Sequence, residues 1–253
     1  MQMNNLTITN AILNNAYLDY VDKCSEVTNF FNLVAFLENT KDISAKGLNK
    51  VSSEEKSIVI DRPLIETIQS SSFLLLYNLI ESTMTAAIDA IYQNLQHLEQ
   101  QHQNTPNLFI FNLTKNLRKS LIKQYAGIFS IDGINDFTEN KRSFFSSVIN
   151  SGYDKKNLFN GNIDCSQIDD ITRKKFGFKV LPFDGQLYDS QHILSIKNKR
   201  NNLAHGSQTF TEVSRYLAMG ELKEHLESVI NLLNGVFSSI ENYLTNQKYL
   251  EPA

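Results

Sequence analysis

Apolar residues in this chain recur at steps of three and four, the spacing that puts them on one face of a helix. Tyr17, Tyr20, Val21, Val27, Phe30, Phe31, Val34 and Leu37 predict a first helix from near Ala16 to about Asn39. A second stripe, Leu64, Ile68, Leu75, Leu79, Met84, Ile88, Ile91 and Leu95, predicts a helix from Pro63 to about Gln101, opened by Asp61-Arg62-Pro63. Phe73 to Leu76 is apolar all round, so this section is expected to be buried on more than one side. Leu113 to Tyr125 and Phe137 to Ile149 read as further helices. Asp164 or Ser166 is expected to cap a short helix ending near Gly177. Pro182 to Gln186 is a turn, and helices follow over Tyr188–His205, Thr209–Leu217 and Glu221–Asn246. Residues 1–15, rich in Asn and Thr, read as an irregular or short extended lead-in. Residues 40–57 read as a polar surface loop and 105–160 as an inserted helical and loop segment. No stretch predicts a sheet.

Composition narrows this picture. The 253 residues, 42% of them hydrophobic, supply a real core, and 10 glycines and 4 prolines leave few helix breakers. A net charge of −3 gives no overall basic field, so nucleic-acid binding would require positive charge gathered locally. One such face is Lys115, Lys119 and Lys123 with Arg118 beside them, either a solvated stripe or a phosphate track. Arg173, Lys174 and Lys175 make the short helix before Gly177 basic. Cys24 and Cys165 lie far apart, with no metal-ligand spacing and no disulfide framework. Met1–Asn10 is polar rather than leader-like, and the apolar run Phe73–Ile80 is too short to span a bilayer. A reduced, cytoplasmic setting without membrane, metal or cofactor is therefore expected.

The chemistry concentrates in Ile196-Lys197-Asn198-Lys199-Arg200-Asn201-Asn202-Leu203-Ala204-His205-Gly206. Arginine offers phosphate a planar fork of donors that stays charged, and histidine exchanges protons near neutral pH. Five helical residues advance about 7.5 Å and turn about 140°, so the two side chains do not stack directly. Arginine is long enough to reach around, and Gly206 ends the helix at the histidine. The pair suits RNA scission by the neighbouring 2′-hydroxyl, which needs a base, an acid and positive charge at phosphorus but no metal. One chain supplies one such histidine; a two-fold dimer supplies two. The plain alternative is a helix-terminal histidine complementing the macrodipole. Glu81, in an apolar helix, reads as a capped or paired core carboxylate, with an acid facing the site as the alternative. His97, His102, His192 and His225 read as structural or exposed.

Arg200-Asn201-Asn202-Leu203-Ala204-His205-Gly206 resembles the Arg, polar residue, then His signature of the HEPN superfamily of helical ribonucleases. Phe73-Leu74-Leu75-Leu76-Tyr77-Asn78-Leu79-Ile80-Glu81 is similar to the early core helix of prokaryotic stand-alone HEPN-like nucleases. So are Leu18–Lys23, Gly161–Asp164 with the basic helix after it, and Phe210–Val213. The resemblance covers about residues 16–246 and is weakest over 105–150. It implies an all-α helical bundle of the HEPN type, with long antiparallel helices, forming a single nuclease domain and a homodimer. It further implies metal-independent endoribonuclease activity, with Arg200 and His205 as the catalytic pair and Asn201 the polar residue beside them. Lys197, Lys199 and Asn202 are the expected RNA-binding neighbours. The resemblance also implies a toxin or antiviral effector, with an antitoxin or defence-system protein as partner. One subgroup, modified by a nucleotidyltransferase antitoxin, carries a tyrosine two residues beyond the histidine; here Ser207 stands there. The competing expectation is a noncatalytic HEPN-type module that binds RNA, a nucleotide or a protein.

Overall fold

The computed structural model describes residues 6–102, 113–128, 149, 159 and 161–252. The helices are α1 (Ala11–Asn39), α2 (Arg62–His102), α3 (Lys115–Ile128), α4 (Cys165–Asp169), α5 (Ser190–Ala204), α6 (Phe210–Ser214) and α7 (Met219–Thr245). A π-helical turn, Asp170–Phe176, continues α4. Among the described residues a hairpin pairs β1 (Ser44–Leu48) with β2 (Glu55–Val59). The fold is all-α, as the periodicity predicts. The helix expected over Phe137–Ile149 and the loop after it fall outside the described residues, apart from Ile149 and Phe159, which are buried.

The chain forms two compact units. The first holds the start of α1, α2 from Ile80 onward, α3, α4 and α7 from Asn231. Its core is lined by Ile80, Met84, Ile88, Ile91, Leu117, Leu121 and Ile240, all essentially inaccessible. Tyr17, Tyr20 and Phe237 pack in mutual contact, tilted or edge-on, with ring centroids 5.2–5.9 Å apart. Burial lifts the Tyr92 hydroxyl to about 12, partly offset by a hydrogen bond with Ser120. Gly235 lies against the chain at Leu181: a Cβ there would sit 2.6 Å from the Leu181 carbonyl oxygen. Gly235→Ala must displace backbone, and we expect it to cost about 1–3 kcal/mol. Chemical denaturation should show the loss; an unchanged midpoint would mean the segment yields freely.

The second unit holds the rest of α1, the hairpin, α2 up to Leu79, α5, α6 and the start of α7. Asp61 caps α2 by accepting from the Leu64 amide at 3.1 Å. Arg62 then meets Glu38 and Glu66, each at 3.0 Å. α6 and the turn after it are each fastened to α2. Ser70 donates to the Phe210 carbonyl at 2.5 Å, and the buried Gln69 side-chain amide donates to the Leu217 carbonyl at 3.0 Å. Thr209 and Glu212 form a reciprocal capping box at the start of α6.

Two expectations need correction. The first helix begins at Ala11, five residues before the position predicted. Asn10 caps it, accepting from the Leu13 amide at 3.0 Å, and Glu241 takes the Thr9 amide, the Thr9 hydroxyl and the Asn10 amide. The segment 40–57, expected to be loop, instead contributes most of the hairpin, whose strands are Ser44–Leu48 and Glu55–Val59. Every residue of both strands is exposed, so no buried face marked them. The basic helix is also partly neutralised: Arg173 pairs with Asp169 at 2.6 Å and Lys174 with Asp170 at 2.8 Å. By length and composition α2 qualifies to cross a bilayer, but 56% of its most apolar window is buried inside the protein. A core helix passes the same test.

Candidate active site

α5 starts at Asp189, whose side chain accepts from the Gln191 amide at 2.8 Å. It buries Ile193, Ile196 and Leu203. Their spacing of three and seven leaves position 200 on the same stripe, where a packing helix would carry an aliphatic residue. Arginine stands there instead. Its guanidinium lies over the face of Tyr77, 3.9 Å from the ring centroid, and Tyr77 itself is fully buried on α2. A partly desolvated contact of this kind contributes roughly 1–2 kcal/mol. Nη1 of Arg200 donates to the Asn201 side-chain oxygen at 2.8 Å.

The helix ends in a Schellman motif. The Ser207 amide donates to the Asn202 carbonyl at 3.0 Å, and the Gly206 amide to the Leu203 carbonyl at 3.2 Å. Gly206 has φ +67°, which an L side chain adopts only with strain. His205 is the terminal cap residue, its amide bound to the Asn201 carbonyl at 2.9 Å. Its imidazole is exposed, as are its neighbours from Ala204 to Thr209. The motif thus turns the chain sharply while leaving the imidazole open to solvent.

The expected neighbours divide. Asn201 joins Arg200 directly. Asn202 braces the loop, donating to Gln208 Oε1 at 2.7 Å and accepting from the Ser207 hydroxyl. Lys199 turns inward: Nζ stands 4.5 Å from the Phe73 ring centroid and 3.8 Å from Glu221. Burial lowers its pKa, against the opposing pull of Glu221. Lys197 is half-buried. Glu81 is half-buried on α2 one turn beyond Tyr77, belongs to the other unit, and accepts from the Thr85 hydroxyl at its carbonyl, 2.7 Å away. Lys115, Lys119 and Lys123 are exposed on α3. Tyr77 and Phe73 were missed by sequence reasoning, which read them as core alone. The usable signal was an arginine on the apolar stripe of α5, since a buried cation demands a partner.

Behind Lys199 lies a second cluster. His192 and His225 stack with ring centroids 4.6 Å apart, and His225 meets the Phe73 ring edge-on. Among the described residues no group of three or more His, Cys, Asp or Glu is placed to hold a metal ion. Cys24 and Cys165 are not joined in a disulfide.

An all-α fold with an arginine, a polar residue and a histidine at the end of a helix is the arrangement that the HEPN resemblance implies. The HEPN_MAE_28990-like HEPN family model matches residues 16–249, and the chain belongs to that family. HEPN domains have nuclease, RNA-binding or nucleotide-related functions; many are ribonucleases and others are noncatalytic. No curated protein and no solved structure matches the chain.

Proposed function

We propose that this protein is a metal-independent endoribonuclease that cleaves RNA by attack of the 2′-hydroxyl on the adjacent phosphorus, serving as a toxin or antiviral effector. The observation that carries this reading is the division of labour at the end of α5. Arg200 is held by Tyr77 and Asn201, while His205 stands exposed on a fixed turn. A held cation stabilises charge as it develops, and an exposed imidazole can reach a ribose proton.

In this scheme two copies of the chain form one site. His205 of one copy takes the 2′-hydroxyl proton as O2′ bonds to phosphorus. The bond from phosphorus to O5′ breaks, and the imidazolium of the other copy gives its proton to O5′. The products are a 2′,3′-cyclic phosphate and a free 5′-hydroxyl. Arg200 neutralises the phosphorane, with Asn201 setting its orientation. Asn202 shapes the loop beside the imidazole, Lys197 adds local positive charge, and the α3 lysines steer RNA. Lys199 serves mainly to pack α5 on Phe73. An antitoxin or defence-system protein would govern when the site is exposed.

The test is direct. Purified protein incubated with RNA and excess chelator should yield fragments ending in 2′,3′-cyclic phosphate. Retardation of the RNA without scission would replace the nuclease with a noncatalytic binder.

A further inference from the structure

Two aromatic residues four apart on α2 face two consecutive cations on α5. Phe73 receives Lys199 at 4.5 Å and Tyr77 receives Arg200 at 3.9 Å. The two contacts are not equivalent. An ammonium is a compact charge with no plane, so a ring beneath it gives attraction without orientation. A guanidinium is flat and donates only in its plane, so a ring against one face fixes that plane while leaving its donors at the edge. Asn201 then limits rotation within the plane by accepting from Nη1 at 2.8 Å.

We propose that Tyr77 is a positioning residue for Arg200, holding the guanidinium so that its donor edge is presented to the RNA phosphate at the moment phosphorus gains charge. The proposal rests on the ribonuclease reading. Folding alone does not account for the arrangement. The stripe formed by Ile193, Ile196 and Leu203 would accept a leucine at position 200, without the cost of desolvating a cation. The ring offsets that cost and converts it into a defined orientation. Binding energy of this kind acts mainly in the transition state, so its loss should appear in kcat more than in KM.

The experiment compares Tyr77→Phe and Tyr77→Leu by steady-state cleavage of a short RNA, thermal melting, and nitrogen-15 spectra of the arginine side chains. Tyr77→Phe should keep near-wild-type kcat and the upfield ring-current shift of the Arg200 Nε–H. Tyr77→Leu should lose that shift and about 100-fold in kcat, the effect of misplacing a catalytic group by about 1 Å, with little change in KM. If the leucine chain melts early, Tyr77→Met supplies the same comparison with a more adaptable side chain. Wild-type kcat in Tyr77→Leu, or no ring-current shift in the parent, would overturn the proposal. A parent that shows the shift but cuts no RNA would retire the ribonuclease reading and this role together. A parent that cuts, with Tyr77→Leu cutting equally well, would retire the role alone.

Discussion

Replacing His205 with alanine is expected to remove RNA cleavage by about 10²–10⁴-fold while leaving the fold intact. The imidazole is exposed at the end of α5, and only its backbone takes part in the terminating turn. Exposed substitutions away from such features usually stay within about 0.5 kcal/mol, so the melting curve should barely move. Arg200→Ala should reduce turnover about as strongly, by about 10²–10³-fold, for a different reason. It removes the charge that meets the phosphorane and uncovers the Tyr77 ring, so a loss of about 1–2 kcal/mol in stability should accompany it. Arg200→Lys separates charge from shape. It keeps the cation but loses the planar fork and the defined stack, and should stay far below the parent rate. His205→Ala cleaving at the parent rate would end the assignment of that residue. Full activity in Arg200→Lys would show that charge alone suffices and that the stacked geometry is incidental to turnover.

How much of this was readable in the chain depended on where the signal was local. α5 was placed within two residues at its start and one at its end, because the Pro182–Gln186 turn and Gly206 are short-range punctuation. α2 and α7 were placed similarly, since their stripes repeat over many turns. The hairpin at Ser44–Val59 was invisible because neither of its faces is buried, and period-two alternation comes from burial. The start of α1 was lost to tertiary structure: Glu241, on another helix, gathers the donors of Thr9 and Asn10. At the site, Arg200, Asn201 and His205 were legible as a spacing. What held Arg200 was not. Tyr77 lies far away in sequence, and an aromatic residue in an apolar run is first taken as core. Burial also changed the meaning of Lys199, which the sequence presents as an RNA-binding neighbour and the fold turns onto Phe73.

The same burial predicts how the second unit responds to acid. Nδ1 of His225 lies 2.7 Å from the Glu221 carbonyl, which can only accept, so Nδ1 carries the proton of the neutral ring. Nε2 is buried and finds no partner among the described residues. A second proton there would add a charge facing His192 and Lys199 on α5 and the Phe73 ring on α2, with Glu221 on its own helix. Burial accordingly lowers the pKa of His225 from 6.5; the Glu221 carbonyl opposes the shift, and His192 and Lys199 reinforce it. The sign of the linkage follows. Well above pH 6.5 neither folded nor unfolded chain protonates this ring, and its contribution is complete. As pH falls below 6.5 the unfolded chain takes up a proton that the folded one resists, so stability declines until the lowered folded value is passed. His225→Phe keeps a ring against Phe73 and His192 without a titrating nitrogen, and should flatten the decline between pH 7 and 5. His225→Ala should cost about 3 kcal/mol at pH 7.5, since it empties a site packed between two rings. Urea denaturation of the three chains across that range makes the comparison. An equally steep acid decline in His225→Phe would assign the effect to other groups. A loss below about 1 kcal/mol in His225→Ala would show that the cluster closes over the gap.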